Sequence, residues 1–312
     1  MNTELSIVIC TYNRAAVLEE TLQSYCKLAG AMSPSVELIV VDNNSSDSTK
    51  SVTKKYAELI PGLRYIHEPT PGLSYARNTG VAHASGELVS FVDDDIYFDP
   101  HWIEAVIDIF KITPDASCMG GKSIPLFEAG RPAWLQDEHL GIYGSTLSGD
   151  SVKWMIYPEH PFGLNMVFKR NVFSIVGSFN PALGRIKKNL LSMEETDYFL
   201  RVFNKGLKVI YCPDAIVQHR IPPDRSERQW AVSRYYWQGI SSVVFKQLHN
   251  PTSRIKCLGD AASTALDIMR QVIGGSYSPR KIYWHMTSLD FSDRLNVARN
   301  IGKMKQLLIE CL

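Results

Sequence analysis

Along the first third of the chain, short apolar runs alternate with stretches whose apolar positions recur every three or four residues. Residues 5–10, 36–41 and 88–92 are apolar at nearly every position, which is the pattern of strands buried on both faces, and 63–67, LRYIH, reads as a third short strand. Residues 14–28, 48–59, 73–84 and 102–110 carry helical spacing instead. Strands buried on both faces and joined by helices predict an α/β fold with one mostly parallel, Rossmann-like sheet flanked by helices. In such sheets ligands bind beyond the carboxyl ends of the strands. That rule selects residues 11–14, 42–47 and 93–95 as the first place to look for chemistry.

The middle is less regular. Residues 118–125, 161–169, 208–212 and 216–218 read as short strands, 172–176 as a helical turn and 194–203 as a helix. Residues 128–151 are rich in turn formers, and 184–191, with Arg185, Lys187 and Lys188, read as a loop. From residue 226 onward the pattern turns helical, over 227–248, 255–273 and a last amphipathic stretch in 279–312. The expected organisation is a domain over 1–225, with halves 1–125 and 126–225, followed by a helical extension over 226–312.

Composition narrows the classes. The 33 basic and 32 acidic residues of the 312 leave a net charge of +1, so bulk charge gives no support to nucleic-acid binding. No apolar run is long enough to cross a membrane, and MNTELSIVIC lacks the pattern of a signal peptide. No two of the six cysteines have CxxC spacing, which argues against structural zinc and for a reduced, cytoplasmic setting. GxGxxG and GxxxxGK[ST] are both absent, which weakens dinucleotide and phosphate-loop readings.

Three carboxylates, Asp93, Asp94 and Asp95, end the apolar run VSFV. Adjacent like charges repel, and a divalent cation or a set of backbone donors would relieve them. Asp42 ends another strand, where a capping turn and a contact to a base or ribose are equally open by spacing. Arg77, in LSYARNTG, is either a surface arginine or a neutraliser of phosphate or of the acidic cluster. Ser192 and Glu195 in SMEETD match a capping box, so Glu195 is either a cap or a general base. Asp197 and Arg201 form an i,i+4 pair. His219 follows a short strand and suits either a structural role or a metal. Trp134, Trp154 and Trp230 suit packing or stacking on a sugar or base.

The segments LSIVICTYNRAAVLEETLQS, ELIVVDNNSSDST, PGLSYARNTGVAHASGELVSFVDDD and SMEETDYFLRVFNKGLKVIYCPDAIVQH, in that order, resemble the family 2 glycosyltransferases. These are inverting enzymes with the GT-A fold, and the resemblance spans about residues 5–220. It implies a nucleotide-sugar-binding half followed by an acceptor half. It places Thr11, Tyr12, Asn13, Arg14, Asp42, Arg77, Asp93 and Asp94 at the donor, and Asp95, His219 and Asp93 at a Mn²⁺ or Mg²⁺ ion. Glu195, Glu194 or Asp197 would be the base, with Glu195 preferred although the family's second motif position is usually aspartate.

Function follows from the same resemblance. A sugar would pass from a nucleoside-diphosphate sugar, a UDP-sugar for preference, to a hydroxyl of a glycan or lipid-linked saccharide, in synthesis of a surface polysaccharide. Composition singles out Trp134, Trp154, Lys187 and Lys188 for the acceptor. The helical extension would pack on its own chain or a second copy, or rest on the inner face of the membrane. The competing readings are a nucleotidyltransferase and a non-catalytic nucleotide-sugar-binding protein whose helical tail holds a partner.

Overall fold

The computed structural model describes residues 3–28, 30–187, 189–273 and 291–311. The first half unfolds along the chain as β1 (Leu5–Thr11), α1 (Ala15–Tyr25), β2 (Val36–Asp42), α2 (Thr49–Ala57), β3 (Leu63–His67), α3 (Leu73–His83) and β4 (Leu88–Asp93). A two-residue turn leads to β5 (Ile96–Phe98), followed by α4 (Trp102–Ile112) and β6 (Cys118–Phe127). Then come β7 (Lys153–Met155), β8 (Asn165–Lys169), α5 (Asn171–Val176), α6 (Glu194–Asn204) and β9 (Val209–Ile221). The last elements are α7 (Arg228–His249), α8 (Arg254–Ile273) and α9 (Phe291–Glu310).

Among the described residues the sheet runs β3-β2-β1-β4-β8-β6-β9-β5, with β7 also on β9. Pairing is parallel across β3-β2-β1-β4, as the buried runs predict, and mixed beyond. The reason is the connections: a parallel neighbour needs a crossover of a dozen residues or more, usually helical, and β7 and β8 follow loops. Strands β5 and β7, three residues each, are too short to leave a pattern, and the sequence reading lacks both. The two short strands expected at 208–212 and 216–218 are one strand, β9, with the pairing register shifting opposite Gly121/Lys122.

Side-chain alternation divides the core between the two sheet faces. Leu5, Ile7 and Ile9 of β1 and Leu38 and Val40 of β2 pack with Leu18, Leu22, Trp102 and Val106. Val8, Ile39 and Val41 join Phe91, Phe168, Tyr198 and Phe199 on the other face. Parallel register then does the positioning. Thr11 stands opposite Asp42 and Cys10 opposite Asp93, so the polar ends of β1, β2 and β4 emerge along one edge. The antiparallel pair β5/β9 sets Ile96 opposite His219, next to the acidic turn.

The chain divides into two compact units. One holds the sheet; the other comprises Ala129–Asp137, Leu183–Met193 and Pro222–Leu312. The expected boundary at 225/226 assigns the two internal segments to the sheet domain, whereas the structure groups them with the helices. Within the helical unit, α7 and α9 cross on two glycines. A Cβ at Gly302 would lie 1.9 Å from the Tyr236 carbonyl oxygen, and one at Gly239 1.9 Å from that of Arg299. Val243, Cys257, Ala261 and Leu307 form a small core beside this crossing.

Gly302→Ala is therefore expected to force α7 and α9 apart and to cost about 1–3 kcal/mol, as overpacking does. Gly259→Ala on α8, where an added methyl meets nothing within 4 Å, is expected to stabilise by up to about 1 kcal/mol through helix propensity. Urea unfolding of both variants checks the opposite signs.

Candidate active site

Two loops stitched to each other form one side of the site. Asn13, in the left-handed region at φ 51°, accepts the Ser46 N–H at 2.7 Å on its side-chain oxygen, and its own N–H donates to Ser45 Oγ at 2.8 Å. Asparagine tolerates that conformation better than most residues. Asp47 Oδ2 accepts the Ala15 N–H at 2.9 Å, capping α1 from the neighbouring loop. Asp42 is buried, with Oδ1 accepting the Ser45 N–H at 2.8 Å and Oδ2 the Tyr65 hydroxyl at 2.7 Å. Tyr12 is half-buried.

The acidic turn lies at the end of β4. Asp93, the last residue of the strand, is half-buried; Asp94 and Asp95 are buried. Asp94 accepts the Thr11 hydroxyl at 2.6 Å and a hydrogen bond from Arg14 Nη1, and its carbonyl accepts the Thr21 hydroxyl at 2.7 Å. Burial pushes Asp94 up to about 6; Arg14 opposes the rise, and repulsion from Asp95 and Asp93 adds to it. The second prong of Arg14, Nη2, reaches Asp95 Oδ2 at 2.8 Å. Asp95 Oδ1 lies 3.4 Å from His219 Nε2. His219 Nδ1 is 2.6 Å from the Tyr143 carbonyl, to which it donates. Burial draws the His219 imidazole down, but Asp95 outweighs it and raises it above its ordinary value.

A second acidic group sits at the first turn of α6. Glu194 is buried and paired with Arg77 Nη1 at 2.8 Å. Arg77 is not the surface arginine of the bland reading: it is 3% exposed, lies 5.5 Å from the Phe179 ring centroid and donates to the Gly163 carbonyl at 3.4 Å. Its charge also faces Glu195 and Asp93, so it stands between the two acidic groups. Burial pushes Glu194 up to about 7; the negative charge of Glu195 and a hydrogen bond between the two carboxyl groups reinforce this against Arg77. The Oε2 atoms of Glu194 and Glu195 are buried and accept no hydrogen bond from any described donor. Asp197 is held by Arg201, at 2.7 Å to Nη2 and 3.1 Å to Nε. The Ser192 hydroxyl that a capping box would use lies instead 3.4 Å from Ser241 Oγ.

Of the residues expected at the acceptor, Trp154 belongs to the sheet unit and Trp134 and Lys187 to the helical unit. Trp154 on β7 pairs with Ile210, nine positions along β9 from His219, and lies under Lys208 at 5.5 Å. Trp134 packs edge-on against Phe291 within the helical unit, and Lys187 is exposed there with φ 55°. Lys188 lies outside the described residues.

Sequence reasoning missed two partners and one hollow. Tyr65 and the Tyr143 carbonyl act through contacts between distant segments, which no local pattern signals. His160 donates from Nδ1 to the Pro161 carbonyl at 2.9 Å, meets the Thr196 hydroxyl at 3.1 Å and stacks on Phe199. It borders a cavity of about 330 Å³ with Gly120, Gly121, Ser145, Ser148, Glu159 and Phe162.

The family model described as "Glycosyl transferase family 2" matches residues 6–165. The chain belongs to that family. This glycosyltransferase is 30% identical over 253 residues to glucosyl-dolichyl phosphate glucuronosyltransferase of Haloferax volcanii, covering 80% of each chain. It is 25% identical over 238 residues to the succinoglycan biosynthesis protein ExoM of Rhizobium meliloti, covering 75% of this chain and 72% of that one. Its fold is similar to that of the mannosyltransferase PcManGT from Pyrobaculum calidifontis, solved with GDP-Man and Mn²⁺. There the TM-score is 0.59 at 19% identity, with 96% of this chain and 86% of that one covered. The fold is thus of the GT-A type. Among the described residues no helix is long and apolar enough to cross a membrane.

A pH dependence follows from Glu194. An unfolded glutamate releases its proton near 4.5, while the folded one holds it up to about 7. The stability this group contributes is complete below 4.5 and is lost as pH rises through about 7. Glu194→Gln lacks that loss, so its stability relative to the unsubstituted protein should climb between pH 5 and pH 7.5. Urea midpoints across that range test it; a constant difference contradicts it.

Proposed function

We propose that this glycosyltransferase moves a sugar from a nucleoside-diphosphate sugar to an acceptor hydroxyl in one inverting displacement, with Glu195 as the base. The observation that carries the assignment is the division of labour in α6. Arg77 holds Glu194 and Arg201 holds Asp197, whereas Glu195 forms no ion pair among the described residues; a buried Oε2 that no described donor occupies is common to Glu194 and Glu195. A carboxylate in that state is available to take a proton from an acceptor hydroxyl brought within hydrogen-bond distance.

The residues at the acidic turn fit a divalent cation. Hard cations of this kind take one or two carboxylates together with phosphate oxygens, and Asp93 and Asp95 supply the carboxylates. His219 adds a nitrogen whose orientation is fixed by donation from Nδ1 to a backbone carbonyl, the second contact usual for a metal-ligating histidine. Among the described residues no three acidic, histidine or cysteine side chains form a ready-made cage, in keeping with an ion that shares its ligands with a nucleotide. When bound, Mn²⁺ or Mg²⁺ would offset the charge that develops on the departing nucleoside diphosphate.

The chain's own groups do the rest. Asp42 and the loop at Thr11–Asn13 bind the nucleoside, their geometry fixed by the hydrogen bonds between the two loops. Arg77 holds Glu194 close to Glu195 and places a positive charge between the two acidic groups. For the acceptor, a glycan or lipid-linked saccharide agrees with the names of the Haloferax and Rhizobium relatives, and a UDP-sugar is the first donor to try. The helical unit serves self-association or peripheral contact with a membrane.

Incubation with sugar nucleotides should release nucleoside diphosphate without pyrophosphate, and NMR of the product should show the opposite anomeric configuration to the donor. Glu195→Gln is expected to lower kcat by about 10²-fold or more while donor affinity, read by calorimetry, is retained. Unchanged turnover would remove Glu195 from this role. Chelation by EDTA should abolish turnover, and Mn²⁺ or Mg²⁺ should restore it.

A further inference from the structure

The hollow of about 330 Å³ beside His160 has walls that belong to both acidic centres of the site. One wall is residues 145–148, which follow closely on Tyr143, the residue whose carbonyl orients His219 beside Asp95. Another is His160, which meets the Thr196 hydroxyl at 3.1 Å and stacks on Phe199. Thr196 is the neighbour of Glu195, so this ring touches the turn of α6 that carries the base. The floor is β6, where glycine makes room: a Cβ at Gly120 would fall 2.8 Å from Pro161 Cγ. The volume is at the small end of ligand sites, about 300–1,000 Å³, which suits a single compact ring.

The lining has one ionised group. Ser148 donates to Glu159 Oε1 at 2.6 Å, and Lys153 Nζ lies 2.8 Å from the same oxygen. Both contacts fall on Oε1, so Oε2 is left to accept from a hydroxyl. Burial raises the Glu159 carboxyl, but Lys153 and Ser148 outweigh it and hold it below its ordinary value; the group is a carboxylate and can only accept. Burial draws the His160 imidazole down, so that ring is neutral. Lys153 reaches Glu159 from outside the lining.

We infer that this hollow seats a neutral sugar ring of the acceptor, and that Glu159 makes it select against an acidic one. The inference rests on the transfer reading given above and adds the class of saccharide to it. A pyranose matches the two kinds of wall: its C–H faces meet Leu147, Met155, Pro161 and Phe162, and its hydroxyls meet Glu159 and Ser145. The carboxylate of a uronic acid in the same place would face the ionised Glu159, and like charges at a partly closed wall repel. Lys153 does not offset this, because its ammonium is already held on Glu159. Without the charge at 159, Lys153 would lose its partner and draw an acidic sugar in.

The test is saturation-transfer NMR of methyl glycosides on the full-length protein, with and without UDP and Mn²⁺. The probes are the methyl glycosides of glucose, galactose and mannose and of the matching uronic acids. At least one neutral glycoside should bind, and its uronic acid about fivefold or more weakly. Gly141 also lines the hollow, and an added Cβ there meets nothing within 4 Å. Gly141→Phe should therefore fill the space without crowding the fold, and weaken the neutral glycoside about tenfold. Glu159→Gln keeps the size of the side chain and should shift the ratio of neutral to acidic binding about tenfold towards the acid. That ratio does not move with packing alone, and it reads the proposal even if Gly141→Phe does not fold. No neutral glycoside bound by the unsubstituted protein, or undiminished binding by folded Gly141→Phe, overturns the hollow as the seat of a sugar. An unchanged ratio in Glu159→Gln overturns the selection by charge. Glycosides bound in the hollow while no sugar nucleotide releases its diphosphate would instead overturn the transfer reading, so the two failures are distinguishable.

Discussion

Negative charge has to be buried here, and two guanidinium groups from separate parts of the chain make that tolerable. Asp94 and Asp95 sit under Arg14, and Glu194 sits against Arg77, all with little access to water. Removing either arginine would strand carboxylates in a low-dielectric setting, where an unpaired charge costs several kcal/mol or forces a proton on. Asp94 and Glu194, both pushed upward by burial, already show that pressure. Most other contacts in the site hold these two arginines and their partners in place: the stitched loops around Asn13, the aromatic rings under Arg77, and the turn that carries Asp95 toward His219.

The sheet explains why those groups meet. β1, β2 and β4 run in parallel with ends in register, so polar residues that are far apart along the chain leave the sheet side by side. α3 and α6 pack on one sheet face through the cluster of Val8, Ala76, Phe91, Tyr198 and Phe199, which brings Arg77 and Glu194 together across 117 residues of sequence. β5 pairs with β9 for only three residues, enough to place His219 beside the acidic turn.

What the sequence makes legible follows from the range of each interaction. β1, β2 and β4 stand out because burial on both faces leaves a nearly uninterrupted apolar run, a local signal; β3, with Arg64 and His67 exposed, carries a weaker one. The acidic turn and the SMEETD segment stand out for the same reason. The pairing of Arg77 with Glu194 does not, because an arginine in a helix looks alike whether it faces water or the core. The capping-box pattern at Ser192 and Glu195 is likewise local, and a hydroxyl on another helix competes for it. β5 and β7 are defined by their partners and not by their own residues. Trp134 and Trp154 stand out by residue type alone, and type does not say where a loop folds.

Gly163 sets a limit on how this protein can be re-engineered. Its carbonyl accepts from Arg77, and the space a side chain would need is taken: a Cβ there would fall 2.4 Å from Arg77 Nη2. Even alanine would push at the guanidinium that holds Glu194. The loop that turns from His160 into β8 is an inviting target for altering selectivity, since it borders a cavity and is short. Libraries built on that loop should keep position 163 as glycine and vary its neighbours. Otherwise a change meant to reshape a wall would be felt as a change in the charge state of the transfer site.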